Sequence, residues 1–353
     1  MIPVSSIEYV NVRIRAAHSR LFGRDVYETL MESDNLGAVT TFLLENDYYR
    51  DDIEAALENF GEREGLEQGI ANHFARLITL VRSMAEGDMK IHFNTVLASF
   101  DLQNLKTLIV ARERDLPFPD ICSMMLPCYT IDRDKLRLAY EMSDFQSMAK
   151  AISISSPHVA YGLRKTIKEK VSNEAAVEFI NRLERNVYGA VLRSMDIDSS
   201  DASLVKTVFK YEIDLKNIVS AMKHVWGGVK EKSVTNTFIH GGTMGVDFLN
   251  DVAQAKKLED ALEMIEATRF HEAVEKGIIY YSETGFFHEM ERFFEEVLIM
   301  KAFSMKRSDP FGIGPFIAYV WGQFTELTNL RTVINGIAFK ASPGLIKRGL
   351  IYV

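Results

Sequence analysis

The chain has 353 residues, 47% of them hydrophobic and 25% charged, with a formal net charge of -8 at pH 7. That length accommodates a sizeable buried core spread over two or three domains of ~100 to 200 residues, and the composition is that of a folded globular protein rather than a disordered or collagen-like one. The negative balance, with no long basic stripe, argues against a nucleic-acid partner, because phosphate affinity needs a clustered positive surface.

The first element is a helical stretch carrying Arg13, Arg15, His18 and Arg20. It resembles a mitochondrial presequence in its basic residues but holds Glu8 and lacks the apolar core of a signal peptide. Glu32-Ser33-Asp34-Asn35 then leads into an apolar helix with Leu36, Val39 and Leu43. An amphipathic helix follows and closes on Ser83-Met84, and the next helix carries Asn104-Leu105-Lys106 with Leu108. Pro117-Phe118-Pro119 marks a break.

The same three signals return. Ser143-Asp144-Phe145 opens a helix with Met148 and Ile152, and Val177, Ile180, Leu183, Val187, Val191 and Met195 recur at helical spacing up to Ser194-Met195. Asp214-Leu215-Lys216 follows with Ile218, before a glycine-bearing region at Gly227, Gly228, Gly241 and Gly242. A third set reads Lys257-Leu258 with Ala261 and Ile265, then Met290, Phe293, Phe294, Val297 and Leu298 up to Ser304-Met305, then Asn329-Leu330-Arg331 with Val333. First and third signals stand about 70 residues apart in each set, and the sets about 110 apart, the signature of a repeated module. With prolines at helix borders (Pro157, Pro310, Pro343) and no strand alternation, the chain is expected to be all-α, in three similar helical domains spanning 1–122, 123–235 and 236–353.

Chemistry is sparse. Gly227-Gly228-Val229-Lys230 lacks the first glycine and the Ser/Thr of a phosphate loop and reads as a helix-ending turn. Asp309-Pro310-Phe311-Gly312-Ile313-Gly314-Pro315 lacks the third glycine of a dinucleotide fingerprint and reads as the break between two helices. His271-Glu272 and His288-Glu289 do not complete the helical metal patterns. Cys122 and Cys128 have no metal-ligand spacing and read as ordinary thiols. The 15 methionines sit at core spacing on separate helices. No catalytic, cofactor or metal residue is expected, and no apolar run approaches the ~18 to 20 residues of a membrane span.

Three strings carry a resemblance. They are Tyr9-Val10-Asn11-Val12-Arg13-Ile14-Arg15-Ala16 with Ser19-Arg20-Leu21 and Tyr27; Tyr211-Glu212-Ile213-Asp214-Leu215-Lys216-Asn217-Ile218 with Ile239-His240-Gly241-Gly242; and Asp309 to Gly314 through Ala318-Tyr319-Val320 and Glu326 to Leu350-Ile351-Tyr352-Val353. Together they resemble the C subunits of prokaryotic V-type and A-type ATPases and ATP synthases. The same family includes the d subunit of the eukaryotic V-ATPase, from which this N-terminus departs.

The resemblance implies a funnel of three helical domains about a pseudo-threefold axis, seated on the membrane proteolipid ring and receiving the central shaft, made of the D and F subunits. It implies a non-catalytic part that passes torque between ion flow and the ATP-handling head, peripheral at the cytoplasmic face. The loops near Gly227 to Gly242 and Pro310 to Pro315 are expected to help shape partner-facing ends.

The repeated Asn/Asp and Lys/Arg positions read either as three equivalent grips on the shaft or, preferably, as polar pairs tying helices within each domain. On the second reading Arg331→Leu harms folding more than docking. A helical-repeat scaffold for soluble partners is the alternative function, and a helical enzyme with a pocket hidden from sequence is the third.

Overall fold

The computed structural model describes residues 6–122, 125–126, 130–169, 175–228, 237–284 and 287–352. Cys128, Val229, Lys230, Val353 and the side chains of His288 and Glu289 lie outside the described residues, as do the expected domain boundaries next to 123 and 235. The described residues form nineteen α-helices and no strand. The chain is all-α.

After α1 (Ile7–His18) come α2 (Arg24–Met31), α3 (Leu36–Glu45), α4 (Arg50–Leu57), α5 (Glu62–Ser83), α6 (Gly87–Val96) and α7 (Ala98–Glu113). A single turn, α8 (Phe118–Ile121), precedes α9 (Arg133–Glu141), α10 (Phe145–Ala151), α11 (Pro157–Lys168), α12 (Ala176–Ser194) and α13 (Ser200–Trp226). The remainder is α14 (Val246–Ala253), α15 (Leu258–Glu266), α16 (His271–Thr284), α17 (His288–Ser308), α18 (Gly314–Ala338) and α19 (Pro343–Gly349). Short helices lead each time to a long one: α5, α12 and α17 have 22, 19 and 21 residues. The helix after it is longest, 27 residues in α13 and 25 in α18, and its first counterpart is broken at Leu97 into α6 and α7.

Local sequence explains these elements. Leu36, Phe145 and Leu258 are each the first residue of a helix, and the side chains of Asn35 and Asp144 accept the amides of Ala38 and Ser147 as N-caps, satisfying donors that the first turn leaves open. The apolar residues that follow, Val39, Leu43, Met148, Ile152, Ala261 and Ile265, are all buried. Ser83, Ser194 and Ser304 behave alike, each hydroxyl donating to the carbonyl three residues back, at 2.7, 2.8 and 2.6 Å. Four of the apolar positions differ: Ile180, Phe293 and Val297 are half-buried and Val177 is 67% exposed, so the buried face of α12 starts at Phe179. Two positions apart on a helix, Val177 and Phe179 lie on different faces, and it is Phe179 that packs, stacked on Phe145.

Both glycine strings terminate helices. Gly227 caps α13, and Gly228 takes the left-handed conformation at φ +62° that only glycine adopts readily. Between α17 and α18 the Asp309 carboxylate accepts the amides of Gly312 and Gly314, both at 3.0 Å. A Cβ on Gly314 would stand 2.4 Å from the carbonyl oxygen of Met305, so the sharp restart of the helix requires glycine there.

The chain divides into two compact units, one made of Met1–Tyr140 with Met305–Val353 and the other of Glu141–Ser304. The axis of the first is α18, which packs on α1, α2, α3, α5 and α19. Its run from Phe316 to Trp321 is buried on every face, and Phe316 stacks on Phe93 at 3.6 Å between ring centroids. A helix apolar all round belongs in a protein core or a membrane. No described helix is long and apolar enough to cross a membrane. In the second unit α11 pairs with α12, and α13 packs on α12, α14 and α15 around Phe209, Ile213, Ile218 and Phe270.

Candidate functional site

The polar residues singled out in the sequence lie in the helix that follows each long helix. There an acid and an asparagine stand three positions apart, on one helix face, within Asp101-Leu102-Gln103-Asn104, Asp214-Leu215-Lys216-Asn217 and Glu326-Leu327-Thr328-Asn329. All six polar residues are buried, so each needs a partner inside the protein.

The asparagine finds one equivalent partner each time. Asn104 donates through Nδ2 to the Leu126 carbonyl at 3.2 Å and accepts the Leu126 amide at 2.8 Å. Asn217 does the same to Ile239, at 2.8 Å both ways. Asn329 does so to Ile351, at 2.8 and 2.9 Å. An amide side chain can satisfy the N–H and C=O of one residue at once, which no carboxylate or hydroxyl does as a single fixed fork.

The acid only accepts, and it faces donors. Asp101 takes the Thr130 hydroxyl and, at 3.4 Å, the amides of Thr130 and Ile131. Asp214 takes the Thr243 amide at 2.8 Å, the Thr243 hydroxyl at 2.7 Å, the Met244 amide at 3.1 Å and the Arg269 guanidinium. Glu326 takes the Phe22 amide at 2.6 Å and the Tyr49 hydroxyl.

The second repeat is therefore in a different register from the one read in the sequence. Asn217, not Asp214, does what Asn104 and Asn329 do, and Asp214 corresponds to Asp101 and Glu326. The shift of three residues evens the spacing of the sets to about 112. The three asparagines hold loop backbone rather than Lys106, Lys216 or Arg331, so the expected polar pair is instead a helix-to-loop clasp. Lys216 sits 3.5 Å from Glu184 and 5.9 Å from the Tyr188 ring, whose hydroxyl donates to Glu212 at 2.6 Å. Desolvation draws the Lys216 ammonium down, but Glu184 and Glu212 hold it above its ordinary pKa.

Glycine lets the second loop reach its clasp. Gly241 has φ +100°, and a Cβ on Gly242 would lie 2.2 Å from Asp214 Oδ1 and 3.0 Å from Ile213 Cγ2. Gly242→Ala is expected to push the loop off Asp214 and lower stability by about 2 kcal/mol. A urea unfolding midpoint equal to that of the parent protein would show that the close approach is not needed.

The first unit holds a cavity of about 1060 Å³. One wall is the outer face of α5, where Ala71 and Ala75 lie between the charged Glu67 and Arg76, and Arg133 and Arg331 face it from elsewhere in the unit. Arg76 is held by Asp52 at 2.5 Å, and the buried His73 lies 2.8 Å from the same carboxylate. Burial pushes the His73 pKa below its ordinary value. Arg331 thus lines the cavity wall, whereas Lys216 sits against Glu184.

Two arrangements bear on catalysis. His158 Nε2 stands 2.8 Å from Ser194 Oγ, but that hydroxyl donates its proton to the Val191 carbonyl at 2.8 Å, the geometry of a helix-end serine rather than an activated nucleophile. Among the described residues no three His, Cys, Asp or Glu side chains converge to hold a metal ion.

Residues 10–349 match the family described as the ATP synthase (C/AC39) subunit. The chain is 22% identical to the C subunit of the A-type ATP synthase of Methanocaldococcus jannaschii, over 99% of this chain and 88% of that one. The corresponding protein of Methanococcoides burtonii is 22% identical, over 98% of this chain and 94% of its own. That of Haloferax volcanii is 21% identical, over 98% of each.

Proposed function

Given that the chain belongs to the ATP synthase (C/AC39) subunit family, we propose that it is the socket of a rotary A/V-type complex. In this reading it links the central shaft, made of the D and F subunits, to the membrane proteolipid ring at the cytoplasmic face. It carries no catalysis and transmits the torque that couples ATP turnover to ion movement. The carrying observation is the match across residues 10–349, nearly the whole chain.

The geometry supports this reading in four ways. A part that transmits torque must resist deformation, and close-packed helices do so because their interiors have the density of organic crystals. Three buried clasps, each fixing a loop to a long helix, add directional restraint where packing alone permits sliding. The recurrence of those clasps also supports three similar helical domains about a pseudo-threefold axis, with bounds near 1–122, 123–235 and 236–353. The cavity beside α5 offers a seat whose small Ala71 and Ala75 admit a close-packed partner helix and whose charged flanks, Glu67, Arg76 and Arg331, fix its orientation.

The test is recovery from native membranes. A tagged chain is expected to bring down the rotary ATPase with its shaft and ring components. Glu67→Arg together with Ala75→Trp, both on the cavity wall, is expected to reduce recovery of the shaft at least tenfold while helicity and unfolding midpoint are retained. A chain recovered only with soluble partners, and never with the ring, would point to a helical scaffold of another kind.

A further inference from the structure

The third clasp differs from the other two in how its halves are connected. In the first, Asn104 and Asp101 hold residues 22 to 30 positions further on, Leu126, Thr130 and Ile131. In the second, Asn217 and Asp214 hold Ile239, Thr243 and Met244 over the same separations. In each the held residues follow one another on a single stretch of chain, so a residue that slips off is kept nearby by its own backbone.

In the third, Asn329 still holds a residue 22 positions on, Ile351, but Glu326 holds Phe22, which is 304 positions away. The slot is the same. Phe22 stands five residues before the buried Tyr27 of α2, as Ile131 stands before Leu136 of α9 and Met244 before Leu249 of α14. Two separate segments, 350–352 and 20–23, occupy the place that one loop fills elsewhere. They meet where Tyr352 lies 6.5 Å from Tyr27 and Arg24 lies over the Tyr352 ring. The two stretches of the first unit are joined covalently only through residues 141–304, so no short stretch of chain links the two segments to each other, and residues 20–23 are placed by the packing of α1 and α2 on α18.

Its donors are also fewer. Asp101 faces two amides and a hydroxyl, and Asp214 faces these and a guanidinium, whereas Glu326 has one amide and one phenol. The titratable neighbours are mostly phenols: Tyr27 of α2, Tyr48 and Tyr49 before α4, Tyr319 one helix stretch earlier on α18, and Tyr352 beyond Tyr27. From α5, His73 stacks on Tyr49 at 4.1 Å with Asp52 and Arg76 behind it, and Arg20 lies over Tyr48 at 5.0 Å. Glu28 and Lys347 pair with each other at 3.2 Å near Tyr352. The two groups that donate to the Glu326 carboxylate, the Phe22 amide and the Tyr49 phenol, are both uncharged.

We propose that this third clasp is a releasable latch within the first unit, in which the Glu326 carboxyl, by gaining or losing a proton, sets how firmly segment 20–23 is held against α18. The two loops held by Asp101 and Asp214 are permanent; this one opens and closes. Burial pushes the Glu326 pKa up to about 7, with Tyr49 and the Phe22 amide pulling it back only in part. Between its ordinary value and that raised one the closed latch binds more protons than the open one. Closure is therefore favoured on the acid side and weakens as pH rises towards about 7. The latch is a property of the isolated chain and does not depend on assembly into a larger complex.

The experiment is amide hydrogen exchange on the full chain from pH 5.5 to 8, resolved at Phe22, Ile131 and Met244 and corrected for intrinsic chemistry. Opening at Phe22 is expected to rise roughly tenfold or more across that range, since one pKa unit is a factor of ten, while Ile131 and Met244 stay level. Glu326→Gln is expected to remove the rise. Tyr49→Phe, which deletes one donor and keeps the ring, is expected to speed opening at Phe22 and to move the midpoint to higher pH. It carries the test if Glu326→Gln does not fold. A parent chain in which Phe22 follows the same pH dependence as Ile131 and Met244 overturns the latch, as does a Tyr49→Phe midpoint that does not move.

Discussion

Asp214→Ala is expected to destabilise the second unit by about 4 kcal/mol or more, the range for removing one partner of a buried ion pair. The carboxylate is fully buried and takes four donors, two of them backbone amides and one the Arg269 guanidinium. Removing it strands the amides of Thr243 and Met244 away from water and leaves a cation that is only 27% exposed without its counter-charge. The effect is expected to be local. Hydrogen exchange in α13 and α14 should accelerate strongly, and Thr243→Val, which deletes only the hydroxyl, should cost about 1 kcal/mol. Equal unfolding midpoints for Asp214→Ala and Thr243→Val would mean that the carboxylate is not the centre of the clasp.

Asn329→Ala is expected to cost the first unit about 3 kcal/mol, because two buried hydrogen bonds are lost and both backbone groups of Ile351 are left without a partner. Asn329→Asp separates the roles of the two halves of the amide. It keeps an acceptor for the Ile351 amide but turns an ionised oxygen on the Ile351 carbonyl, so at neutral pH it is expected to be at least as harmful as alanine. In acid the protonated carboxyl regains a donor, and part of the loss is expected to return. Chemical denaturation of both variants at pH 5 and pH 7.5 reads this directly. An aspartate variant indifferent to pH would show that Ile351 does not need the donor.

Much of the local architecture is legible from the residues in order. Leu36, Phe145 and Leu258 begin helices because polar residues before them cap or solvate the first turn, and Ser83, Ser194 and Ser304 return their hydroxyls to the carbonyl three positions back. Gly227-Gly228 and the Asp309 to Pro315 stretch end and restart helices for local backbone reasons, and the second is then held from far off by Asn11 and Arg15 of α1, which donate to the carbonyls of Pro310, Phe311 and Gly312. The clasps are only half legible. Asn-Leu-Lys/Arg marks Asn104 and Asn329, but matching Asp214 to them puts the second set three residues out. The signal that places it correctly, an acid, a leucine, any residue and an asparagine at constant spacing, is present in the sequence but competes with the commoner Leu-Lys pairs of every amphipathic helix.

The helical class, most helix starts and stops, the threefold recurrence of the signals and the family all follow from the order of residues, because each rests on short-range stereochemistry or on whole-length pattern. Which polar residues are buried together follows only from packing in three dimensions. Whether Glu326 reaches Phe22 across 304 positions depends on how α18 packs against α1, α2 and α5, and no local pattern encodes that separation. Burial then sets the chemistry: the same carboxyl that is an ordinary acid on a helix surface becomes, inside that packing, one poised near neutral pH.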